Sequence, residues 1–236
     1  MATFKRLVLF LAVLAVVSAF VMGQSRSTQS NQEMSVEQSY LQQSVEVMII
    51  REMSRADSRE MKLVALEYIG NAIDRGNTGD EVRAAVEYLG MEGISNITRE
   101  NGRIVNNYPD IRTKAATYLG QIGTREAKNA LVNMVLHDNE PMVITEAIKS
   151  LASIGMNERG ETENAISWIV NRHDNLNPDN LLALSALEAF EKLAKANGSI
   201  SPSSIQTVIR IAEGNYVPAI KNRARITLNE LRGYQN

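Results

Sequence analysis

An internal repeat of 32 residues constrains this chain more than any other feature. Apolar residues at offsets 0, 4, 8 and 11 occur twice between Pro109 and Gly155. The two copies consist of Ile111, Ala115, Leu119 and Ile122, then of Val143, Ala147, Leu151 and Ile154. This spacing keeps four side chains on one face of an α-helix, and the glycine that follows each copy is typical of a helix end. A fixed period of this length predicts a solenoid in which similar helical units stack.

The same apolar stripe occurs three more times along the chain. These copies are Met61, Ala65, Ile69 and Ala72; Leu182, Ala186, Phe190 and Leu193; and Ile220, Ala224, Leu228 and Leu231. All five copies have alanine at the second position, and so small a side chain lets a neighbouring helix approach closely. We therefore expect five equivalent helices that pack against one another.

The segment DIRTKAATYLGQIGTREAKNALVNMVLHD resembles the bacterial HEAT repeat. It has the Asp-x-(Val/Ile)-Arg opening, the Ala-Ala pair, the Leu-Gly-x-Ile-Gly turn and the closing Asp. The resemblance is strongest over residues 109–155, and weaker copies extend it to residues 57–233. It implies an all-α fold, a right-handed α-α superhelix of about four to five antiparallel helix pairs. It also implies a surface that binds other macromolecules, and it implies no particular reaction.

The N-terminus predicts a secretory signal peptide over residues 1–23. Lys5 and Arg6 precede eleven uninterrupted apolar residues, Leu7 to Val17. This run is shorter than the roughly 20 apolar residues that a membrane-spanning helix needs. We expect cleavage after Gly23 or Ala19, a periplasmic or secreted protein, and no membrane contact after cleavage. A flexible Ser/Gln-rich tether over residues 24–33, a capping helix over 34–56 and the repeat domain over 57–233 should follow.

An insert at residues 91–108 interrupts the repeats. The first two stripes are 50 residues apart, whereas the later ones are 32, 39 and 38 apart. Within the insert, Asn101-Gly102 is a strong signal for a β-hairpin turn. Two interpretations stay open. The insert is either a tolerated surface loop or a projecting hairpin that engages a partner or a neighbouring copy.

The second helices of the pairs supply the candidate binding surface. Their inner residues align as Ala130, Leu131, Met134 and Val135; Ala165, Ile166, Ile169 and Val170; and Ile205, Val208 and Ile209. The HEAT resemblance implies that second helices line the concave side. From the outward positions we select as partner-binding residues Asn129, Asn133, Leu136, Trp168, Asn171, Gln206, Thr207 and Arg210. Trp168, the only tryptophan, is either a binding hot spot or partial core over the next pair.

The chain offers few groups for chemistry. His137 and His173 are each followed by aspartate, but they mark the same turn on two repeats and further metal ligands are missing. We find no serine nucleophile elbow and no phosphate loop. The sequence therefore predicts no catalytic residues, no metal and no cofactor. Removal of residues 1–23 would leave 23 basic and 27 acidic residues, a balance that disfavours nucleic-acid binding.

Three functions are compatible with these features. The first is an exported, non-catalytic scaffold or adaptor that binds another protein. The second is a structural component that self-associates or joins an envelope or periplasmic flagellar assembly. Self-association predicts exposed apolar residues at the ends, around Val47 to Ile50 and Leu228 to Leu231. The third, an enzyme similar to HEAT-like lyases, fits the signal peptide and the acidic balance less well.

Overall fold

A computed structural model describes residues 36–176 and 178–234. The predicted signal peptide and tether lie outside the described residues. The chain divides into two units, Met1–Gln42 and Gln43–Asn236. Of the first unit, the structure describes only the beginning of one helix.

The described residues form ten α-helices and one two-stranded sheet. The helices are α1 (Val36–Arg55), α2 (Arg59–Asp74), α3 (Asp80–Gly90), α4 (Pro109–Ile122), α5 (Arg125–His137), α6 (Pro141–Ile154), α7 (Glu161–Leu176), α8 (Asn180–Asn197), α9 (Pro202–Glu213) and α10 (Pro218–Leu231). The strands β1 (Arg99–Glu100) and β2 (Arg103–Ile104) lie between α3 and α4, and 3₁₀ turns occupy Glu158–Gly160 and Arg232–Tyr234.

The helices of the second unit pack in two layers. The stripe helices α2, α4, α6, α8 and α10 contact one another in that order, and the second helices α3, α5, α7 and α9 do the same. We call these the stripe layer and the second layer. This arrangement confirms the predicted all-α, HEAT-like solenoid.

The apolar stripes form the core of the stripe layer. The alanine at the second position is fully buried in every copy, as close helix approach requires: Ala65, Ala115, Ala147, Ala186 and Ala224. One stripe residue departs from the prediction, because Met61 is 44% exposed. Helix α2 has a stripe-helix neighbour on one side only, so the first position of its stripe lacks a covering helix.

Prolines lie at the beginning and glycines at the end of several helices, as their positions in the sequence predict. Four of the stripe and second helices, α4, α6, α9 and α10, have proline in the first turn, where a missing N–H costs nothing. Gly123 and Gly155 end α4 and α6 with positive φ angles of 68° and 75°. Their N–H groups donate to the carbonyl oxygens of Leu119 and Leu151. Only glycine adopts this left-handed conformation without strain, which explains the recurrent glycine of the repeat.

The insert contains the predicted hairpin. Strands β1 and β2 pair antiparallel, and Asn101 and Gly102 between them both have positive φ, as a type I′ turn requires. Asn106 anchors the base of the hairpin: its side-chain amide donates to Glu92 Oε1 at 2.7 Å, and its Oδ1 accepts from the Thr98 N–H at 2.9 Å. Glu92 and Asn106 are both buried. The insert is therefore held to the repeat core by a polar network.

Two buried ion pairs continue this network into the helices. Lys62 Nζ lies 3.1 Å from Glu92 Oε2. Arg112 donates to both carboxylate oxygens of Asp138, from Nε at 2.7 Å and from Nη2 at 3.1 Å. Nη1 of Arg112 donates to the Glu92 carbonyl oxygen at 3.0 Å. Charges out of water are tolerated only when they are paired and hydrogen-bonded, so this network fixes α2, α4 and the insert relative to one another.

Candidate partner-binding surface

The structure places most of the selected residues on the outer surface of the second layer. Exposed side chains are those of Asn129, Asn133, Trp168, Gln206 and Arg210, while Leu136 and Asn171 are half-buried. Asn129, Asn133 and Leu136 lie on α5, Trp168 and Asn171 on α7, and the others on α9. Three neighbouring helices therefore contribute to one layer, as the alignment of second helices predicts.

Thr207 is the exception, and its predicted outward position is wrong. Its side chain is only 1% exposed, and its hydroxyl donates to the Ser203 carbonyl oxygen at 2.9 Å. Helix α9 is rotated relative to the alignment, because it buries Val208 and Ile211 on one face and leaves Ile209, an expected inner residue, exposed. Threonine tolerates this burial since a carbonyl one turn back accepts its hydroxyl proton.

Helices α5 and α7 lie side by side in a fixed register. Lys128 Nζ pairs with Glu161 near the beginning of both helices. Arg172 Nη2 donates to Asn139 Oδ1 at 2.9 Å near their ends. Both contacts join residues 33 apart. This constant offset places Trp168 at the level of residue 135, between the turns that carry Asn133 and Leu136.

Trp168 is a surface residue. Its side chain is 47% exposed, and the guanidinium of Arg172 lies 5.4 Å from the centre of its ring. A cation over the ring face is attracted by its negative charge density and orients the indole. Of the two interpretations of this tryptophan, the exposure favours a contact surface over core packing.

A groove of about 690 Å³ runs along the second layer beside these residues. Its lining comes from α3, α5 and the beginning of α7. The lining residues are Arg83, Glu87, Met91, Glu126, Asn129, Ala130, Val132, Asn133, Met134, Leu136 and Glu161. The candidate residues of α5 thus form one wall of a real concavity, and α3 forms the other.

Charged groups in the groove are mainly acidic. Glu87, Glu126 and Glu161 face one cationic side chain, Arg83. Arg83 already pairs with Glu87, and its Nη2 lies 3.2 Å from Asp80 Oδ1. The backbone N–H of Glu126 and the hydroxyl of Thr124 hydrogen-bond its carboxylate and lower its pKa. Glu126 is therefore ionised throughout the neutral pH range.

The candidate residues did not include the acidic residues that line the groove, Glu87, Glu126 and Glu161. Arg83 and Glu87 are four residues apart on α3, so they share the outward face of that helix. Val82, Ala85, Val86 and Leu89 mark the buried face of α3 in the same way as in the other second helices. An extension of the second-helix alignment to α3 would have found both charges.

The histidines and carboxylates of the described residues form no cluster with the geometry of a metal site. No three His, Cys, Asp or Glu residues there lie close enough to hold a metal ion. His137 Nδ1 is 2.9 Å from the Asn133 carbonyl oxygen. Burial, and next the charge of Arg172, lower the pKa of His173. Within residues 36–176 and 178–234, every helix is too short or too polar to cross a bilayer.

Apolar residues are also exposed on the insert and on the two terminal helices. On the insert they are Ile97, Ile104 and Val105. On α1 and α10 they are Val45, Met48 and Ile226. The residues that self-association was expected to expose are mostly covered: Ile50 and Leu231 are buried, and Val47, Ile49 and Leu228 are half-buried. Met48 lies in the same stretch and is 51% exposed, so the expectation is met at this residue and not at the buried ones.

Comparison with known proteins supports the repeat assignment. Residues 104–188 match the family model described as HEAT repeats. The match extends from β2 through α7 into α8 and includes the α5 side of the groove and Trp168. No curated protein matches the chain. This part of the chain is therefore similar to HEAT repeats, which are in general non-catalytic scaffolds that mediate contacts between proteins.

Proposed function

We propose that this HEAT-repeat protein is a non-catalytic scaffold or adaptor that binds another protein through its second layer. One observation carries the proposal: an exposed tryptophan, Trp168, lies on α7, the helix that packs beside α5, and Asn129 and Asn133 of α5 line the groove. Large aromatic side chains near the centre of a contact surface supply much of the energy of protein interfaces. The groove supplies concavity, and its polar groups supply specificity.

The described contacts support a surface that is already formed before binding. Lys128–Glu161 and Arg172–Asn139 fix α5 against α7 at both ends. Arg172 also holds the ring of Trp168 in place. A side chain that is ordered in the free protein loses less conformational entropy when it binds, so such a surface binds more tightly.

We extend the proposal to location: the chain is exported, and it acts in the periplasm or outside the cell. The support is Lys5 and Arg6 before the apolar run Leu7 to Val17. The N-terminal sequence of the protein purified from cells that make it tests this point. A mature chain that begins at Gln24 or Phe20 agrees with the proposal, and a chain that begins at Met1 or Ala2 contradicts it.

A structural, self-associating component of an envelope or periplasmic flagellar assembly is the alternative. The observation in its favour is the exposure of Val45 and Met48 on the outer face of α1, together with Ile226 on α10. End-to-end contact would cover these side chains. Sedimentation of the mature protein separates the two functions, because self-association raises the sedimentation coefficient with concentration while a scaffold for another protein stays at one size.

Affinity capture with paired variants tests the scaffold function. We expect Trp168→Ala to lose a captured protein that the unchanged mature protein retains. Ile226→Ala is the matched control, since it also removes an exposed apolar side chain but lies on α10, outside the second layer. Loss of the captured protein in Ile226→Ala but not in Trp168→Ala would refute the assignment of the surface.

A further inference from the structure

We propose that the groove between α3 and α5 binds an extended, basic polypeptide segment of about four to five residues. This inference rests on the proposed function and specifies the chemistry of the bound segment. It follows from the spacing of two asparagines, the length of the groove, and the charges of its lining residues.

Asn129 and Asn133 match the repeat of an extended chain. They are one helical turn apart on the same face of α5, and four residues of α-helix rise by about 6 Å. Alternate residues of an extended chain recur at about 6.7 Å. Each asparagine amide carries both a donor and an acceptor, as does each peptide group. The two side chains can therefore hydrogen-bond alternate peptide groups of a segment that lies along α5, whatever the sequence of that segment.

The length of the groove limits how much chain it can hold. Its lining on α5 extends from Glu126 to Leu136. Ten helical steps correspond to about 15 Å, and an extended chain covers this distance in about four to five residues. The floor includes Ala130, Val132 and Met134, which suit the aliphatic part of inserted side chains. A segment that reaches Leu136 lies at the level of Trp168 on the neighbouring helix α7.

The charge of the lining residues selects a basic segment. Three carboxylates line the groove, but Glu87 pairs with Arg83 and Glu161 pairs with Lys128, so Glu126 is the lining carboxylate without an ion pair among the described residues. Glu126 accepts hydrogen bonds from its own backbone N–H and from the Thr124 hydroxyl, and Arg83 acts on it only through its charge at longer range. Lysine or arginine side chains of a bound segment would satisfy this carboxylate. Acidic segments would be repelled, because like charges across an interface disfavour binding.

A peptide array tests the inference directly. The probes are immobilised ten-residue peptides in which every second position is lysine, glutamate or serine and the other positions are randomised. The mature protein is applied at low ionic strength. We expect the lysine series to retain at least tenfold more protein than the glutamate series, and added salt to reduce this retention, because surface charge pairs are screened. Equal retention of both series, or retention of none, would overturn the inference.

Variants locate the binding on the groove. We expect Asn129→Ala with Asn133→Ala to weaken binding of a lysine-series peptide by about tenfold, since two hydrogen bonds to the backbone are lost. Asn222→Ala with Asn229→Ala on α10 is the matched control, because both of these asparagines are exposed and lie far from α5 in the chain. A peptide N-methylated at alternate amides should also bind less tightly. Unchanged affinity in the α5 variant would refute the assignment.

The outcomes separate this inference from the scaffold function. If a protein partner requires Trp168 but no basic peptide competes with it, the scaffold function stands and the extended-segment inference falls. If basic peptides bind the groove but Trp168→Ala still captures its partner, the peptide site stands and the proposed partner surface falls.

Discussion

Replacement of Arg112 by alanine should destabilise the protein more than the loss of an ordinary ion pair. Arg112 is 2% exposed and Asp138 is 1% exposed. The guanidinium donates to both Asp138 oxygens, and Nη1 donates to the Glu92 carbonyl oxygen at 3.0 Å and to Asn107 Oδ1 at 2.8 Å. The variant would leave a buried carboxylate whose remaining hydrogen bond comes from the Glu140 N–H.

The magnitude follows from this burial. Removal of one partner of a buried ion pair costs about 3–5 kcal/mol, because the other charge stays out of water without compensation. The total stability of most domains is only about 5–15 kcal/mol. We therefore expect Arg112→Ala to remove a large part of the free energy of unfolding. The loss should reach the insert as well, since Arg112 binds Glu92 and Asn107 on either side of the hairpin.

The chain contains a matched control for this experiment. Arg125 Nη2 lies 2.7 Å from Glu158 Oε1, which is the distance between Arg112 Nε and Asp138 Oδ2. The side chains of Arg125 and Glu158 are both exposed. An exposed pair contributes about 0–1 kcal/mol, so Arg125→Ala should change stability by no more than that. Urea unfolding followed by circular dichroism gives both free energies. Hydrogen exchange of residues 91–108 reports the local effect.

Two results would refute this reasoning. Equal stability losses in Arg112→Ala and Arg125→Ala would show that burial does not set the strength of the Arg112–Asp138 pair. Unchanged hydrogen exchange in the insert, together with a large global loss, would show that Arg112 does not anchor the hairpin.

Three further predictions concern other buried or partly buried groups. Glu163 is buried and accepts from the Ser201 N–H at 2.8 Å, so Glu163→Ala should cost about 1–3 kcal/mol in urea unfolding; no loss would refute its role at the beginning of α9. Asn106→Ala should accelerate hydrogen exchange of the hairpin without unfolding the helices, and unchanged exchange would contradict the anchoring. The lowered pKa of His173, caused first by burial and then by Arg172, means that the unfolded chain binds a proton more readily. Stability should therefore fall as pH drops below about 6.5, and His173→Gln should flatten this dependence; an unchanged slope would refute it.

Periodicity alone predicted the stripe layer, because every stripe helix has apolar residues at the same four offsets. The alignment of second helices predicted the burial of Leu131 on α5 and Ile166 on α7 and the exposure of Trp168 correctly. It failed on α9, where the connection differs in length and the helix rotated until Val208 and Ile211 both faced the core. A fixed offset cannot anticipate such a rotation.

The apolar pattern could not predict polar contacts between residues that are far apart in the chain. Arg112 and Asp138 are 26 residues apart, and Asn106 and Glu92 are 14 apart. The repeat motif contains Arg112 and Asp138 but does not pair them, and burial was not expected because charged residues are rarely buried. The acidic residues of the groove come from three helices, since Glu87 lies on α3, Glu126 on α5 and Glu161 on α7, and the second-helix alignment did not include α3.

Site-specific photo-cross-linking tests the central claim most directly. A photoreactive amino acid replaces exposed Asn133 on α5 in one variant and exposed Gln121 on α4, in the stripe layer, in the control. The cross-linked protein is identified after illumination of cells that express each variant. We expect an adduct with a different protein at residue 133 and none at residue 121. An equal adduct at residue 121, or only adducts between copies of this chain, would contradict it.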